Sequence, residues 1–327
     1  MKKIITLLVF FLGAVATYSQ QEAQFSQNMF NNMAINPGYA GMNDAICATL
    51  LVRQQWVGFK DQYKDASGVS HSNNGWPQTE LISIDGKVNP LRGGLGLTID
   101  QDQLGFEKNL GFKLGYSYHL TIKQGVLGIG LNVGMLNKKI DFSKFNPLQT
   151  GDPLLNSSKI EGNMATDIGF GAFYKIENKL YFGVSGDQLL QSSISYSSSL
   201  ASPQLTRHLY FTGGYYYTIN PDFELDPSFL IKTDFASTQF DINALLKWKN
   251  QFWGGLSYRV TDAIVVLLGY QRPLKNGTLR AGYSYDITTS AMGANGRSSG
   301  SHEIMLGYCF KIVVVPHEES YRNTRFL

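Results

Sequence analysis

Residues 110–120 read Leu-Gly-Phe-Lys-Leu-Gly-Tyr-Ser-Tyr-His-Leu, and every second residue is apolar or aromatic. The residues between them are glycine, lysine, serine and histidine. Successive side chains of a β-strand point to opposite faces, so this pattern predicts a strand with one fully apolar face. In a transmembrane β-barrel such a face contacts lipid, while the polar face lines the lumen. A soluble sandwich can contain one such strand, so the fold depends on how often the pattern recurs.

The same alternation recurs along the chain. It is present at 127–135, 223–235, 279–287 and 304–310. In the acidic stretch, every charged residue from Glu224 to Asp234 falls on one parity. A charge facing lipid at mid-depth would cost roughly 2–4 kcal/mol, so charges on a single parity indicate a face turned to the lumen or to solvent. The repetition predicts an all-β, transmembrane, antiparallel β-barrel.

We predict about fourteen strands, each near the ~9–11 residues that a tilted strand needs to cross a bilayer. The predicted strands cover 45–56, 79–88, 93–101, 106–120, 125–137, 164–175, 179–187, 207–219, 223–235, 239–248, 252–260, 263–271, 278–287 and 302–312. Together they form a predicted outer-membrane barrel over residues 45–312.

The lengths of the links between these strands support the barrel independently. With the strands numbered in order, the four long links all follow odd strands: Val57–Gln78, Lys138–Asn163, Gln188–Thr206 and Thr288–Ser301. Every link after an even strand is short. Outer-membrane barrels have short periplasmic turns, long outer loops and an even strand count, whereas a soluble sandwich has no reason to sort its loops by side. We therefore expect the long links on the cell surface.

The chain begins with the features of a secretory signal peptide. A basic start at residues 1–3 precedes an apolar run over 4–16, and we expect cleavage after Ser19. The formal net charge is +3, and two of these charges lie in residues 1–3, so the mature chain is near 3 − 2 = +1. A nucleic-acid-binding protein needs a basic stripe, so we expect no nucleic-acid partner. Residues 1–19 are thus the predicted signal peptide, and 313–327 a predicted periplasmic tail.

Residues 20–44 lie between the signal peptide and the first strand. Phe25, Met29, Phe30 and Met33 are spaced as on one face of a short helix, and the following Asn-Pro-Gly predicts a turn. One interpretation is a periplasmic cap on the barrel mouth, and another is a plug inserted in the lumen. We favour an inserted or mouth-capping segment, because free apolar side chains would be unfavourable in water.

No catalytic or metal-binding set of residues is evident in the sequence. The five histidines lack metal-ligand spacing, and there is no Gly-x-Ser-x-Gly motif or phosphate-binding loop. Ser117 and His119 share the polar face of one strand, which could suggest a barrel hydrolase, but ordinary lumen polarity explains them better. We predict no enzyme activity, no cofactor and no metal. Trp56, Phe59 and Trp76 flank the first long loop and are interpreted as interface aromatics or, alternatively, as anchors for a binding partner.

The chain has two cysteines, which allow one disulfide. Cys47 lies on the inward parity of the first strand and Cys309 on the inward parity of the last. Closure of the barrel makes these strands neighbours, with both cysteines near the periplasmic end. Opposed residues of antiparallel strands lie ~4.5–5.5 Å apart in Cα, within disulfide range, and the periplasm is oxidising. We predict that the two cysteines lie close together, as a disulfide or as two free thiols.

Several motifs resemble those of the PorP/SprF family. The signature R-x-Q-W-x-G-F is matched by Arg53-Gln54-Gln55-Trp56-Val57-Gly58-Phe59. Further matches are Asn36-Pro37-Gly38-Tyr39-Ala40-Gly41, Trp253-Gly254-Gly255 with Tyr258-Arg259, Tyr283-Ser284-Tyr285-Asp286, and Gly300-Ser301-His302-Glu303-Ile304. The family's usual Asn-Pro-Ala-Tyr carries Gly38 in place of alanine, which is a mild departure. The resemblance spans essentially the whole mature chain.

The resemblance implies an integral, multi-pass outer-membrane protein of Bacteroidota, linked to the type IX secretion system and to gliding motility. Its implied role is to bind a secreted adhesin or exoprotein through a type B C-terminal domain, and to anchor that protein or help export it. Other type IX secretion components and outer-membrane lipid are the further expected partners. The alternative is an outer-membrane channel for small solutes. Lumen charges of both signs, such as Lys232 with Asp234 and Arg280 with Asp286, fit a filled interior and favour the binding protein.

Overall fold

The computed structural model describes residues 22–59, 61–64, 70–73, 76–144, 159–196, 202–291, 293 and 298–311. The predicted signal peptide, 1–19, and the predicted C-terminal tail, 313–327, lie outside these residues. The strands are β1 (Ala45–Gln54), β2 (Asp61–Lys64), β3 (Ser70–Asn73), β4 (Gln78–Val88), β5 (Gly93–Leu104), β6 (Glu107–Ile122), β7 (Gly125–Asp141), β8 (Ile160–Ile176), β9 (Leu180–Asp187), β10 (His208–Tyr215), β11 (Tyr217–Asn220), β12 (Phe223–Thr233), β13 (Thr238–Trp248), β14 (Phe252–Arg259), β15 (Ala263–Leu274), β16 (Gly277–Thr288) and β17 (Ser301–Lys311).

All strands except β2 and β3 form one closed antiparallel barrel. Each barrel strand pairs with its neighbours along the chain, and the pairings of β1 with β17 and of β10 with β12 complete the ring. β10 and β11 are separated only by Tyr216 and form two parts of one strand, so the barrel has fourteen strands. β2 and β3 pair with each other as a hairpin in the first long link. The predicted fourteen-stranded antiparallel barrel is confirmed, with strand ends within a few residues of the predicted positions.

The outward faces of the barrel strands form a continuous apolar surface. On β6, Leu114 is 55% exposed, whereas Ser117 on the other parity is fully buried. Leu131 and Val133 of the neighbouring strand are 59% and 62% exposed. Soluble monomers rarely expose so large an apolar area, whereas a barrel in a bilayer turns it to lipid. None of the helices in the described ranges is long and apolar enough to cross a membrane.

Aromatic side chains border the apolar surface near the turn between β13 and β14. The rings of Trp248 and Phe252 lie 5.8 Å apart, and those of Phe252 and Tyr270 lie 4.8 Å apart. The Lys249 ammonium group lies 5.3 Å from the centre of the Trp248 ring. Barrels place such aromatic girdles at the membrane–water interface, so this turn marks one edge of the lipid-facing band.

The links divide between the two ends of the barrel. Those at 55–77, 142–159, 188–207 and 289–300 leave from one end, which we call the long-loop end. The opposite end, the short-turn end, carries the links 89–92, 123–124, 177–179, 221–222, 249–251 and 275–276. β1 begins at the short-turn end, so the chain that precedes it meets the barrel there.

Candidate functional site

Residues 22–44, which we call the N-terminal segment, lie inside the barrel and contact inward-facing side chains of its wall. The segment forms three short turns, Asn28–Phe30, Asn32–Ile35 and Pro37–Tyr39, and does not form the single helical face expected from the sequence. Asn36 is extended, with φ −142° and ψ 108°, because a residue that precedes proline is disfavoured in the helical region. The segment therefore crosses the lumen as a succession of tight turns.

The four apolar residues singled out in the segment pack at two places. Phe25, Met29 and Phe30 contact an apolar cluster on the inward face of the wall. This cluster consists of Leu51, Leu81, Leu245, Trp253, Val265, Leu267 and Met305. Met33 is buried elsewhere, beside Gly96 and Gly115. The inward face is therefore apolar where the segment covers it, which the alternation of polar and apolar residues did not predict.

Inward glycines on β5 to β8 let the segment approach the wall closely. A methyl group on Gly130 would lie 2.3 Å from the carbonyl carbon of Pro37. One on Gly94 would lie 2.2 Å from the carbonyl oxygen of Ala40. Glycine in a strand commonly marks a place where another backbone comes this near. The occupied lumen therefore explains the small residues at these two positions.

Polar side chains of β6 hydrogen-bond to the backbone of the segment. The Ser117 hydroxyl donates to the Gly38 carbonyl at 2.9 Å. A ring nitrogen of His119, Nε2, lies 2.9 Å from the Ala40 carbonyl oxygen. Buried carbonyl groups need hydrogen-bond partners, and these two side chains provide them for Gly38 and Ala40. This contact accounts for the polar face that could have suggested a hydrolase.

Five buried charged residues of the wall, Arg53, Arg259, Asp241, Asp286 and Glu303, form what we call the arginine cluster, toward the long-loop end. Arg53 pairs with Asp286 at 2.7 Å and with Glu303 at 3.3 Å. Arg259 pairs with Asp241 at 3.3 Å and with Asp286 at 3.2 Å. The two arginine side chains are 1% and 0% exposed. Asp286 therefore joins both arginines in one network.

The arginine cluster holds the beginning of the N-terminal segment. The Ser26 hydroxyl donates to Asp286 at 2.7 Å and accepts from Arg53 at 2.7 Å. The backbone N–H groups of Ser26 and Gln27 donate to the two carboxylate oxygens of Glu303, at 2.7 and 2.8 Å. Buried charges are tolerated when they are paired and hydrogen-bonded in this way. Across the described residues, no group of three or more His, Cys, Asp or Glu side chains is placed to hold a metal ion.

A second set of charges contacts the first described residue of the segment. The Glu22 carboxylate lies 3.9 Å from the ammonium group of Lys113, and Lys232 donates to the Glu22 carbonyl at 2.8 Å. Lys232 was grouped with Asp234 from the sequence, yet Asp234 instead accepts from the backbone of the turn that follows it. The segment is thus held by charges on two sides of the lumen.

Cavities lie on both sides of the N-terminal segment. The cavity at the short-turn end measures about 840 Å³, and the one at the long-loop end about 410 Å³. A cavity of only about 60 Å³ lies between residues 22–35 and the wall. The segment therefore separates two open vestibules.

The three candidate partner-binding aromatics, Trp56, Phe59 and Trp76, are all half-buried near the long-loop end. Trp56 lines the 410 Å³ cavity, whereas Phe59 and Trp76 are not among the described residues around it. The backbone N–H of Trp56 donates to the Ser301 hydroxyl at 3.0 Å, and its φ of +51° lies in the left-handed region. The structure therefore gives Trp56 a recess beside it but does not gather the three rings around one cavity.

Cys47 and Cys309 face each other on β1 and β17 and are joined by a disulfide. Their Cα atoms lie 4.0 Å apart, and the bond links positions separated by 262 residues. It lies close to the short-turn end, where it fastens the first barrel strand to the last.

The arginine cluster was not predicted from the sequence. Arg280 and Asp286 were grouped as opposite charges, but Asp286 pairs with Arg53 and Arg259, and Arg280 lies toward the other end of the lumen. A signal was nevertheless present. Arg53, Arg259, Asp286 and Glu303 each fall within one of the motifs that carry the family resemblance, so these motifs meet at one buried site.

Comparisons with known proteins identify relatives of this chain. The family model described as type IX secretion system membrane protein PorP/SprF matches residues 17–308. No curated protein matches the chain in sequence. Among solved structures, the Pseudomonas putida toluene transporter TodX is 11% identical over 92% of this chain and 96% of that chain, with a TM-score of 0.51. The translocator domain of autotransporter NalP from Neisseria meningitidis is 12% identical over 88% and 96%, with a TM-score of 0.43. The likeness to TodX shows a shared outer-membrane barrel fold.

Proposed function

Because the chain belongs to the PorP/SprF family of type IX secretion system membrane proteins, we propose that it binds a secreted adhesin or exoprotein at the outer membrane. The barrel recognises the type B C-terminal domain of that protein, and anchors it on the surface or helps its export. The observation that carries the proposal beyond the family is the occupied lumen, in which residues 22–44 are held by buried charges and wall hydrogen bonds. A filled, rigid barrel suits a scaffold for a protein partner better than an open pore.

The partner surface in this proposal is the long-loop end. Long links of outer-membrane barrels face outward, where a secreted protein would be held. Trp56, Phe59 and Trp76 are the proposed anchors, because tryptophan and other aromatic residues often dominate binding energy at interfaces. The left-handed backbone of Trp56 supports its role, since strained conformations cluster at ligand-binding sites.

Affinity purification from outer membranes in mild detergent tests the proposal. The tagged wild-type protein should retain a secreted protein through its C-terminal domain. Trp56→Ala should lower recovery of this partner about tenfold or more, as for other interface hot spots. Phe252→Ala is the matched control, because it removes an aromatic side chain from the lipid-facing surface near the short-turn end. Recovery of no large partner from the wild type would contradict the proposal, and equal losses in the two variants would reject the role of Trp56.

Surface labelling tests the orientation on which the proposal depends. An epitope tag in link 55–77 or 188–207 should be labelled on intact cells. The same tag between Lys249 and Asn250, in a short turn, should be reached only after lysis. Labelling with the opposite pattern would place the proposed partner surface in the periplasm.

A channel for small solutes is the second candidate function. It is favoured by the cavities of about 840 and 410 Å³ that flank the segment. Planar-bilayer recordings distinguish the two functions. If the chain is a binding scaffold, the wild type should be closed, and deletion of 25–33 should leave a folded barrel that leaks and retains less partner. Steady solute conductance by the wild type, without a retained partner, would favour the channel.

A further inference from the structure

Four cations line the cavity at the short-turn end, and they differ in their partners. Lys175, Lys247, Arg280 and Lys311 are these residues. Lys247 pairs with two carboxylates, at 2.9 and 2.5 Å, and Lys175 pairs with one at 2.9 Å. Lys311 is exposed at the open mouth. Among the described residues, Arg280 has no carboxylate within ion-pair distance, although it lies deeper in the cavity.

Arg280 is a partly buried arginine that faces an aromatic ring and a cavity and pairs with no carboxylate of the described residues. Its guanidinium carbon lies 5.2 Å from the centre of the Phe30 ring. Its buried Nε has no hydrogen-bond partner among the described residues. A cation–π contact compensates only part of the loss of hydration, whereas a carboxylate can accept two parallel hydrogen bonds from the planar guanidinium fork. Arg280 can therefore accept an anion, and no carboxylate of the described residues occupies this position.

Aromatic rings form a row in the same cavity. The rings of Tyr39 and Phe173 lie 5.0 Å apart, those of Phe173 and Tyr181 lie 5.6 Å apart, and those of Tyr181 and Tyr216 lie 6.1 Å apart. The cavity of about 840 Å³ falls within the roughly 300–1,000 Å³ of typical ligand pockets. A ligand that fits has a carboxylate for Arg280 and an adjacent apolar or aromatic part for this row.

We propose that Arg280 binds the carboxylate of a peptide that enters the lumen from the short-turn end, with an aromatic side chain of that peptide packed on the partly exposed ring of Tyr216. The carboxylate is supplied by a free C-terminus or by an acidic side chain, which share this chemistry. The site lies at the opposite end of the lumen from the proposed partner surface. It goes beyond the proposed function and does not depend on it.

Fluorescence polarisation with the purified mature protein in detergent tests the site. The probes carry an uncharged boron-dipyrromethene fluorophore on the N-terminus and are Gly-Ser-Tyr-Phe with a free terminal carboxylate, the same peptide amidated, and amidated Gly-Glu-Tyr-Phe. A carboxylate probe should bind about tenfold tighter than the uncharged amide, because hydrogen bonds to a charged group contribute at least that factor. Tight binding of the free-carboxylate probe alone identifies a chain terminus, and tight binding of the glutamate probe identifies an acidic side chain. Equal binding of all three probes, or no binding of either carboxylate probe, would overturn the proposal.

Variants assign the effect to Arg280. Arg280→Gln should remove the preference for carboxylate, and Arg280→Lys should weaken it severalfold because the ammonium group lacks the planar fork. Arg272→Gln is the matched control, since it removes an exposed guanidinium from the outward face near the same end. Equal effects of Arg272→Gln and Arg280→Gln would reject the site. If Arg280→Gln fails to fold, as judged by heat-modifiable mobility, Arg280→Lys and the wild-type probe series still decide.

Discussion

The buried arginines at the two ends of the lumen differ in their partners. At the long-loop end, Arg53 and Arg259 are almost fully buried and pair with carboxylates at 2.7 to 3.3 Å, and they share Asp286. At the short-turn end, Arg280 faces a cavity and contacts a phenyl ring instead. In the first arrangement, both arginines form ion pairs with carboxylates of the chain, and the network holds the N-terminal segment. In the second, Arg280 has no carboxylate partner among the described residues.

Removing one charge should lower the stability of the protein more at the long-loop end, where the charges are paired, than at the short-turn end. Breaking a buried ion pair by removing one partner typically destabilises by about 3–5 kcal/mol, because the remaining charge stays buried and unpaired. Asp286→Ala removes the carboxylate shared by both arginines and should lower the free energy of unfolding by about that amount. Urea titration of the protein in detergent micelles measures it.

The control for Asp286→Ala is Asp262→Asn. Asp262 is 25% exposed and contacts Arg259 at 3.4 Å, so water can replace much of what it supplies. This substitution should change stability by less than about 1 kcal/mol, as is usual for pairs near solvent. Similar losses of unfolding free energy in the two variants would mean that the buried position of Asp286 gives it no special importance.

Both ends belong to one lumen, which the barrel wall separates from lipid. Leu114→Lys places a charge on the lipid-facing side, one position from the natural Lys113 of the lumen, and should cost roughly 2–4 kcal/mol. Assembly into the outer membrane should fall accordingly, as measured by heat-modifiable mobility of membrane fractions. Leu114→Met keeps the position apolar and should assemble normally. Normal assembly of Leu114→Lys would mean that this face does not meet lipid.

The short-turn end is fastened covalently. The paired variant Cys47→Ser with Cys309→Ser should still form the barrel, because ten residue pairs join β1 to β17 around the bond. The free energy of unfolding should fall by about 2 kcal/mol, toward the lower part of the range for disulfides. Reducing agent should shift the wild-type stability by a similar amount and leave the variant unchanged. Failure of the variant to assemble would mean that the disulfide is needed for closure.

Phe30 contacts both the apolar cluster and Arg280, and its substitution should have the smallest effect of these variants. Its ring packs against Trp253 at 5.1 Å and lies under Arg280 at 5.2 Å. Phe30→Leu keeps an apolar side chain but loses the cation–π contact, which is about 0.5–1 kcal/mol. Affinity for a carboxylate probe should rise severalfold, since Arg280 no longer has a competing contact. Phe25→Leu, which packs on the same apolar cluster, should not change probe affinity, and a rise in both variants would indicate general loosening.

Much of this fold could be predicted because its determinants are local. Alternation of side chains decides which residues face lipid, and the lengths of the links indicate which of them lie at the same end of the barrel. Parity and closure together also placed Cys47 opposite Cys309, where the structure has them paired. Each inference needed only neighbouring residues and the rule that a barrel closes on itself.

The contents of the lumen were decided by tertiary structure. Parity showed that Asp286 and Arg280 point inward, but not that Asp286 would meet Arg53, 233 residues away, while Arg280 stays apart. It also gave no reason for inward leucines such as Leu51 and Leu267, which cover Phe25, Met29 and Phe30. Alternation determines only the side of the wall on which a residue lies. Its partner depends on strand stagger, on the width of the barrel and on the path of a segment that belongs to no strand, and these exist only after the ring has closed.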